Sequence, residues 1–188
     1  MISRTSTDEQ LIEESRNGDQ RAFAQLVEKY EQQVAGTVIG MLGNGQEAED
    51  VGQEVFIRFY RSLDKFRGDS SLGTYLTRIA INLSLNTVKK QKRRKLFSLF
   101  GSRENHPVLQ IPDHGLTQDE LNTQNLVQTA LQMLDIQFRS VLVLRLIDGY
   151  STKETAELLD LPLGTVLSRL SRGQKKLKEI LQKLGANS

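Results

Sequence analysis

The segment GYSTKETAELLDLPLGTVLSRLSRGQKK, from Gly149 to Lys176, predicts two short helices joined by a tight turn. Ser151 and Glu154 have the spacing of a capping box, in which each side chain accepts a hydrogen bond from the other residue's backbone N–H, so a helix should begin there. Pro162 ends that helix and suits the first turn of the next, because proline has no N–H to donate. The small residue Ala156 is expected where the two helices cross. The segment is therefore predicted to be a helix-turn-helix.

The second of these helices has two chemically different sides. An apolar stripe with the 3.6-residue helical period should pack on the rest of its domain, and it comprises Val166, Leu170, Gly173, Leu177 and Leu181. The opposite side carries hydroxyl and cationic groups: Thr165, Ser168, Arg169, Arg172, Lys175 and Lys176. Arginine can read guanine edges or clamp phosphate, and lysine binds phosphate as a point charge. This pattern favours a helix that enters the major groove of duplex DNA, and the alternative is a helical hairpin with a solvated basic face.

Charge is distributed unevenly along the 188 residues, although the net charge is only +2. Residues 1–60 contain 5 Lys/Arg against 11 Asp/Glu, and residues 61–188 contain 20 against 12. An acidic N-terminal third and a basic remainder of the chain indicate two different partners, one of which is a polyanion.

Several functional classes are disfavoured by what the sequence lacks. There is no cysteine, which excludes disulfides and thiolate zinc sites. His106 and His114 have no nearby His or Cys partner, so we expect neither a metal nor a cofactor. The start of the chain has no signal-peptide pattern and no apolar run approaches a membrane span, which predicts a soluble, cytoplasmic protein without membrane insertion.

The N-terminal third predicts three helices. Ser6 and Glu9 have capping-box spacing, and turn signals follow at Asn17-Gly18-Asp19 and at Gly43-Asn44-Gly45. The third helix is expected from about Gln46 to Leu63.

An acidic band runs along that third helix. Asp50, Gln53 and Glu54 share an outward face with Glu47, since residues three and four apart stack on one side of a helix. The band indicates a docking site for a protein, and the alternative is a solvated surface whose acids suit the helix N-terminus. A glycine inside a helix costs about 1 kcal/mol relative to alanine, so Gly52 suggests close approach of a neighbouring backbone.

A long helix is predicted from about Leu72 to Lys95. Its apolar side, which can seal the first domain, comprises Leu72, Leu76, Ile79, Ala80, Leu83 and Val88. Its other side presents an aromatic ring, two amides and cations: Tyr75, Arg78, Asn82, Asn86, Lys89, Lys90 and Arg93. Such groups can stack on and hydrogen-bond to exposed bases and hold the backbone, which favours single-stranded nucleic acid over a frayed basic helix end.

Residues 96–116 lose helical periodicity and contain two prolines, which predicts a partly apolar linker. Thr117 and Glu120 again have capping-box spacing, and Phe138 to Ile147 form a nearly continuous apolar helix that Gly149 ends. The expected fold is all-α, with a helical bundle over 1–95 and a helix-turn-helix domain over 117–188.

Two segments together resemble one protein family. AEDVGQEVFIRFYRSLDKFRGDSSLGTYLTRIAINL is similar to the second conserved region of bacterial RNA polymerase sigma factors of the extracytoplasmic-function (ECF) group, and the helix-turn-helix is similar to the fourth. The order of the two segments and the short linker between them make the resemblance specific. The chain departs from the usual family residues at Gly52, Gly73, Tyr75 and Leu167.

The resemblance implies partners for each face. Asp50, Gln53 and Glu54 would dock on the beta-prime coiled coil of core RNA polymerase, which would also be contacted through its beta flap. The unpaired minus-10 element would be captured through Tyr75, Arg78, Asn82, Asn86, Lys89, Lys90 and Arg93. The paired minus-35 element would be read through Thr165, Ser168, Arg169, Arg172 and Lys175. The linker would thread toward the RNA exit path, an anti-sigma factor would mask the polymerase-binding faces, and the free chain would be a monomer.

Two rival functions differ in the features they require. A conventional repressor or activator would dimerise through its helix-turn-helix on a palindrome, which leaves the acidic helix without a role. A DNA recombinase or nuclease would need a positioned nucleophile or carboxylates clustered around a metal ion, and neither is evident in the sequence. We therefore expect an initiation factor that is not an enzyme.

Overall fold

Helices make up the part of the chain that the computed structural model describes, which is the backbone of residues 7–101 and 118–185 and the side chains of 7–94 and 125–185. In chain order the helices are α1 (Asp8–Arg16), α2 (Gln20–Leu42), α3 (Gln46–Arg61), α4 (Leu72–Gly101), α5 (Gln118–Met133), α6 (Ile136–Leu142), α7 (Thr152–Leu159) and α8 (Leu163–Gly185). A 3-10 turn lies at Leu63–Lys65 and a π-helical turn at Val143–Ile147. Neither described range contains a strand, which confirms the all-α class.

Capping side chains explain where the first helices begin. Thr7 is the N-cap of α1 and forms a capping box with Gln10, so the predicted pairing of Ser6 with Glu9 is wrong by one position. The carboxylate of Asp19 accepts hydrogen bonds from the backbone N–H groups of Arg21 and Ala22 and begins α2, as the turn signal predicted.

The predicted boundaries of α3 and α4 lie close to the observed ones. Helix α3 begins at Gln46 as expected and stops at Arg61, after which the chain tightens into the 3-10 turn. Helix α4 begins at Leu72 and continues past Lys95 to Gly101, because no glycine or proline lies between Gly73 and Gly101. Thr117 and the side chain of Glu120, which form the predicted capping pair, lie outside the described part of the chain, as do most of the predicted linker and both histidines.

Helices α1 to α4 enclose the larger apolar core. Its largest fully buried member is Phe59, on which the rings of Phe23 and Phe66 pack at centroid distances of 5.9 and 6.1 Å. The core also contains Leu11, Ile12, Ala22, Leu26, Val34, Val38, Ala48, Val51, Val55, Leu63, Leu72, Leu76, Ala80 and Leu83. Helix α4 approaches α2 closely at Gly73, where a Cβ would lie only 2.9 Å from Gln33 Oε1. This packing fixes the outward faces of α3 and α4.

Helices α5 to α8 form the second domain. Its core includes Leu131, Leu134 and Leu142, on which Leu170, Leu177 and Ile180 of α8 pack. The single helix predicted over 138–147 begins earlier, at Ile136, and changes into the π-helical turn after Leu142. The two-domain, all-helical architecture predicted from the sequence is thus confirmed.

The two domains pack directly on each other, which the sequence did not predict. Met41 of α2 and Ile81 of α4 form one buried cluster with Val143, Leu144 and Leu158 of the second domain. All five side chains are buried, and all except Leu158 are completely buried.

Side chains of the second domain also donate hydrogen bonds to the backbone carbonyls at the C-terminus of α2. The last carbonyls of a helix lack intrahelical partners and carry partial negative charge. Gln128, Gln132 and Arg139 donate hydrogen bonds to the carbonyls of Ile39, Gly40 and Met41, respectively. Burial lowers the pKa of Arg139, whose guanidinium also bonds to the carbonyl of Leu134. The C-cap of α2 is Gly43, and the second domain adds hydrogen-bond donors to the carbonyls that precede it.

No helix in the described ranges combines the length and apolar character needed to cross a membrane.

Candidate nucleic-acid and protein interfaces

The acidic face of α3 is exposed, as predicted. Asp50 and Gln53 lie on the surface, and Asp50 accepts a hydrogen bond of 3.0 Å from the Gln46 amide. Glu54 is partly exposed and forms an ion pair of 2.8 Å with Arg58, one turn along the helix. Both carboxylates are thus engaged by side chains of their own helix, Asp50 through a hydrogen bond and Glu54 through an ion pair.

The outward face of α4 presents amides and cations to solvent. Asn82, Asn86 and Arg78 are exposed, and so are Lys89, Lys90 and Arg93 farther along the helix. The helix is oriented by the opposite side, where Leu76, Ala80 and Leu83 are buried against the first core. The structure thus brings six of the seven residues predicted for single-stranded nucleic acid onto one accessible surface.

The seventh residue, Tyr75, is placed differently. Its ring packs edge-on against Phe66 and Phe59, with centroid distances of 5.0 and 6.1 Å. Its hydroxyl donates a hydrogen bond of 3.1 Å to Ser62 Oγ. Tyr75 is therefore half-buried in the aromatic core, where it supports the loop before α4, and its ring is not free on the outward face. Helical periodicity could not reveal this placement, because Phe59 and Phe66 belong to other parts of the chain.

The loop before α4 is also held by hydrogen bonds from α1. Arg16 at the end of α1 donates hydrogen bonds to the carbonyls of Leu63 and Phe66, at 3.0 and 2.5 Å. Ser71 Oγ accepts a hydrogen bond from the backbone N–H of Thr74 and so caps α4. The loop is thus held by α1 near its beginning and caps α4 at its end.

The helix-turn-helix forms as its sequence predicted. Ser151 and Glu154 make the capping box, and the hydrogen bonds from Ser151 lower the pKa of Glu154. Asp160 ends α7 in the left-handed conformation, with φ 52°, and α8 begins after Pro162. Thr155 is fully buried in α7, and Ala156, the residue predicted to lie at the helix crossing, is partly buried.

Helix α8 packs closely on α6 at Gly173. A Cβ at this position would lie 3.3 Å from Phe138 Cβ and 3.4 Å from Leu142, so a larger residue would push α8 outward. The predicted apolar stripe is therefore correct, and it aims the other side of α8 at solvent.

That other side carries the residues predicted to bind duplex DNA. Arg172 and Lys175 are exposed, whereas Thr165, Ser168 and Arg169 are partly exposed. Ser168 Oγ donates to the carbonyl of Thr165 at 3.0 Å, and Arg172 Nε donates to the carbonyl of Ser168 at 3.2 Å. Two leucines of the same helix, Leu163 and Leu167, are also exposed, at 50% and 52%, which the sequence pattern did not predict.

Gly52 does not serve the purpose that its position suggested. No atom of a neighbouring element lies within 4 Å of the place where its Cβ would be, so the expected close backbone approach is absent at this glycine. Gly52 instead lines an open groove between α2 and α3.

No group of three or more metal-ligating side chains occurs in the portion of the chain that the structure describes.

Comparison with known proteins finds the same protein family in both domains. The profile of Sigma-70 region 2 matches residues 26–94, and that of Sigma-70, region 4 matches residues 124–177. The RNA polymerase sigma-H factor of Pseudomonas aeruginosa is 36% identical and covers 94% of this chain and 95% of its own length. The ECF RNA polymerase sigma-E factor of Escherichia coli K12 is also 36% identical, with coverages of 97% and 98%.

Solved structures agree on the fold. CnrH in complex with the cytosolic domain of CnrY has a TM-score of 0.67 and 26% identity, and the match covers 95% of this chain and 99% of that one. The sigma factor RpoE from Bartonella quintana, in complex with the anti-sigma factor NepR, has a TM-score of 0.65 and 23% identity, with coverages of 85% and 96%. The chain belongs to the sigma-70 family of bacterial RNA polymerase sigma factors, in the ECF group.

Proposed function

We propose that this sigma factor binds core RNA polymerase through α3 and two separate parts of a promoter through α4 and α8. The observation that carries the proposal is that one small domain exposes both an acidic face, with Asp50 and Gln53, and a face of amides and cations around Asn82 and Asn86. A protein partner and a nucleic acid can thus be held by the same rigid core.

On the polymerase, Asp50, Gln53 and Glu54 contact the beta-prime coiled coil. Their carboxylates favour a basic partner, and Glu54 must exchange its ion pair with Arg58 for one across the interface. Contacts at the rim of an interface chiefly steer association and set salt dependence. The helix-turn-helix domain engages the beta flap.

On the promoter, α4 captures the unpaired minus-10 strand. Asn82 and Asn86 hydrogen-bond to base edges, while Arg78, Lys89, Lys90 and Arg93 hold the phosphates. The engaged ring of Tyr75 supports the preceding loop, so we assign base recognition to the amides.

The minus-35 element is read as duplex by α8. Arg169 and Arg172 suit guanine edges or phosphate, Lys175 suits phosphate, and the hydroxyls of Thr165 and Ser168 accept or donate locally. Specificity then arises from two modest sites whose affinities combine when polymerase fixes their separation. Because the two domains pack together in this structure, they must separate to read two distant elements.

The chain divides for these tasks into 1–95, a linker of 96–116 and 117–188, although α4 itself runs on to Gly101. The sigma factor RpoE from Bartonella quintana was solved in complex with an anti-sigma factor, which supports an anti-sigma factor as the regulator of this chain too. We place the protein in the cytoplasm with the polymerase, as a monomer when free and without catalytic activity of its own.

Run-off transcription with purified core polymerase tests the proposal. Adding the chain should produce initiation at specific promoters, and Asp50→Ala should reduce it by weakening core binding. Initiation that is complete without the chain would contradict the proposal. So would tight, promoter-specific binding by the chain alone, because two tethered weak sites should bind DNA poorly until polymerase orders them.

A further inference from the structure

Two exposed leucines lie in the first turns of α8, the helix proposed to read duplex DNA. Leu163 and Leu167 are 50% and 52% exposed, and they share one side of the helix because they are four residues apart. We propose that this leucine pair contacts the C5-methyl groups of thymines in the upstream element and so selects for thymine there. The inference rests on the proposed binding of the minus-35 element by α8 and extends it from polar to apolar recognition.

The leucine pair is not what holds α8 on its domain. Val166 and Gly173 of the same helix are buried, and Leu170 and Leu177 pack on the core of the second domain. An exposed leucine keeps apolar surface in contact with water, and a ligand that covers this surface with an apolar group gains affinity. The pair can therefore contact a ligand without any change in the packing of the helix.

Helical geometry places the pair beside the polar side of α8. Successive residues are about 100° apart around a helix, so Leu167 lies between the buried Val166 and the partly exposed Ser168. An α-helix with its side chains is about 10–12 Å across, and the major groove is about 12 Å wide, so the edges of the polar side also face the bases. The first residues of the second helix are the ones that contact base edges in a helix-turn-helix. Leu163 and Leu167 are therefore positioned to meet bases when α8 enters the groove.

Thymine is the base that offers a leucine an apolar partner. The major-groove edges of guanine, adenine and cytosine carry hydrogen-bond donors and acceptors, whereas thymine has a methyl group beside its O4 acceptor. A leucine placed over a donor or acceptor would remove water from it without replacing the hydrogen bond, which is unfavourable. Burial of one methyl group increases affinity by about fourfold. The leucine pair should therefore favour thymine by contact and disfavour the other bases by desolvation.

Deoxyuridine substitution isolates this contact, because it removes the thymine methyl group and leaves every hydrogen-bonding group in place. Promoter fragments with a randomised upstream element are selected with core polymerase and the full-length chain, and each thymine of the selected element is then replaced singly by deoxyuridine. The wild-type holoenzyme should bind at least one substituted fragment about fourfold more weakly than the parent fragment. One leucine variant, Leu163→Ala or Leu167→Ala, should lose the discrimination at that position.

Met133→Ala controls for the loss of an exposed apolar side chain. Met133 is 60% exposed on α5 of the same domain, so this variant should bind the parent fragment and discriminate against deoxyuridine as the wild type does. The two leucine variants should melt within a few degrees of the wild type, since substitutions of exposed side chains change stability little.

Three results would each overturn the inference: wild-type affinity that is the same for all substituted fragments, discrimination that survives in both leucine variants, or a selected element with no thymine on either strand. In each case the proposed function stands as long as replacement of the whole upstream element weakens binding by the wild-type holoenzyme. If that replacement leaves the affinity unchanged, the proposed reading of this element by α8 is overturned together with the inference.

Discussion

Thr37 of α2 donates a hydrogen bond of 2.9 Å to Asp148, which lies just before the helix-turn-helix, and this contact crosses the interface between the two domains. Burial raises the pKa of Asp148 to about 6, and the bond from Thr37 offsets only part of that effect. No ion pair with Asp148 occurs in the ranges that the structure describes. A carboxylate at the domain interface is thus ionised at neutral pH without a countercharge.

The pH dependence of domain packing follows from this pKa. A carboxyl group whose pKa is raised in the packed state favours packing while it is protonated, and that advantage is lost as the pH rises from 3.8 through about 6. The shift corresponds to at most about 3 kcal/mol. We expect the radius of gyration measured by X-ray scattering to be larger at pH 7.5 than at pH 5.

Asp148→Asn isolates this group from all others that titrate in the same range. The amide keeps the shape and the acceptor for Thr37 but has no charge to bury, so the variant should stay compact at both pH values and melt a few degrees higher at pH 7.5. A variant that expands with pH as the wild type does would show that Asp148 is not the responsible group.

Alanine substitutions at Gly40 and Gly36 form a matched pair that tests how much space the domain interface leaves for an added Cβ. A Cβ at Gly40 would lie 2.9 Å from Val143 Cγ2, whereas a Cβ at Gly36 would lie 4.0 Å from Asp148 Oδ1. Gly40→Ala should therefore loosen the domain contact, and Gly36→Ala, one turn earlier, should be neutral or slightly stabilising. Scattering should report expansion only for Gly40→Ala, with unchanged helical content by circular dichroism. Equal behaviour of the two variants would argue against the observed packing.

Asn82→Ala should impair promoter opening more than polymerase binding. The side chain is exposed, so removing it should leave the domain folded and cost about one hydrogen bond to a base, roughly tenfold in open-complex formation. Permanganate footprinting of the melted region measures this, and core affinity is the control. A footprint identical to that of the wild type would refute the assignment.

Arg169→Ala should weaken use of the upstream element. A bidentate contact with guanine contributes about 1–3 kcal/mol of discrimination, so initiation at promoters that have the minus-35 element should drop by about tenfold or more. Promoters without that element should be affected little. Lys183→Ala removes an exposed cation near the end of the same helix and serves as the control. Equal losses from Arg169→Ala and Lys183→Ala would indicate a general effect of charge.

Local rules account for what the sequence predicted well. The capping box at Ser151 and Glu154 needs only residues three apart, and the exposed faces around Asp50 and Asn82 follow from helical periodicity. Both kinds of signal are complete within one helix. For that reason the secondary structure and the outward position of most candidate site residues could be predicted before any contact was known.

Contacts between elements account for what the sequence did not show. Met41 and Ile81 lie on helices with apolar faces, but periodicity could not indicate that both would be buried against Val143 and Leu144 of the other domain. Tyr75 is a similar case, because its aromatic neighbours come from other elements. A sequence pattern shows that a face is apolar, but not which other face will cover it.

Helix α2 belongs to both halves of the molecule. Leu26 and Val34 stabilise the first core, while Met41 and the capped carbonyls at the helix end join the second domain. In a genetic screen, lesions in the last turns of α2 should therefore be pleiotropic, because they disturb the first core and also loosen the packed state from which the domains separate to read the promoter. Their second-site suppressors should arise across the domain boundary, around Arg139 and Val143, and not among the neighbours of α2 within its own bundle.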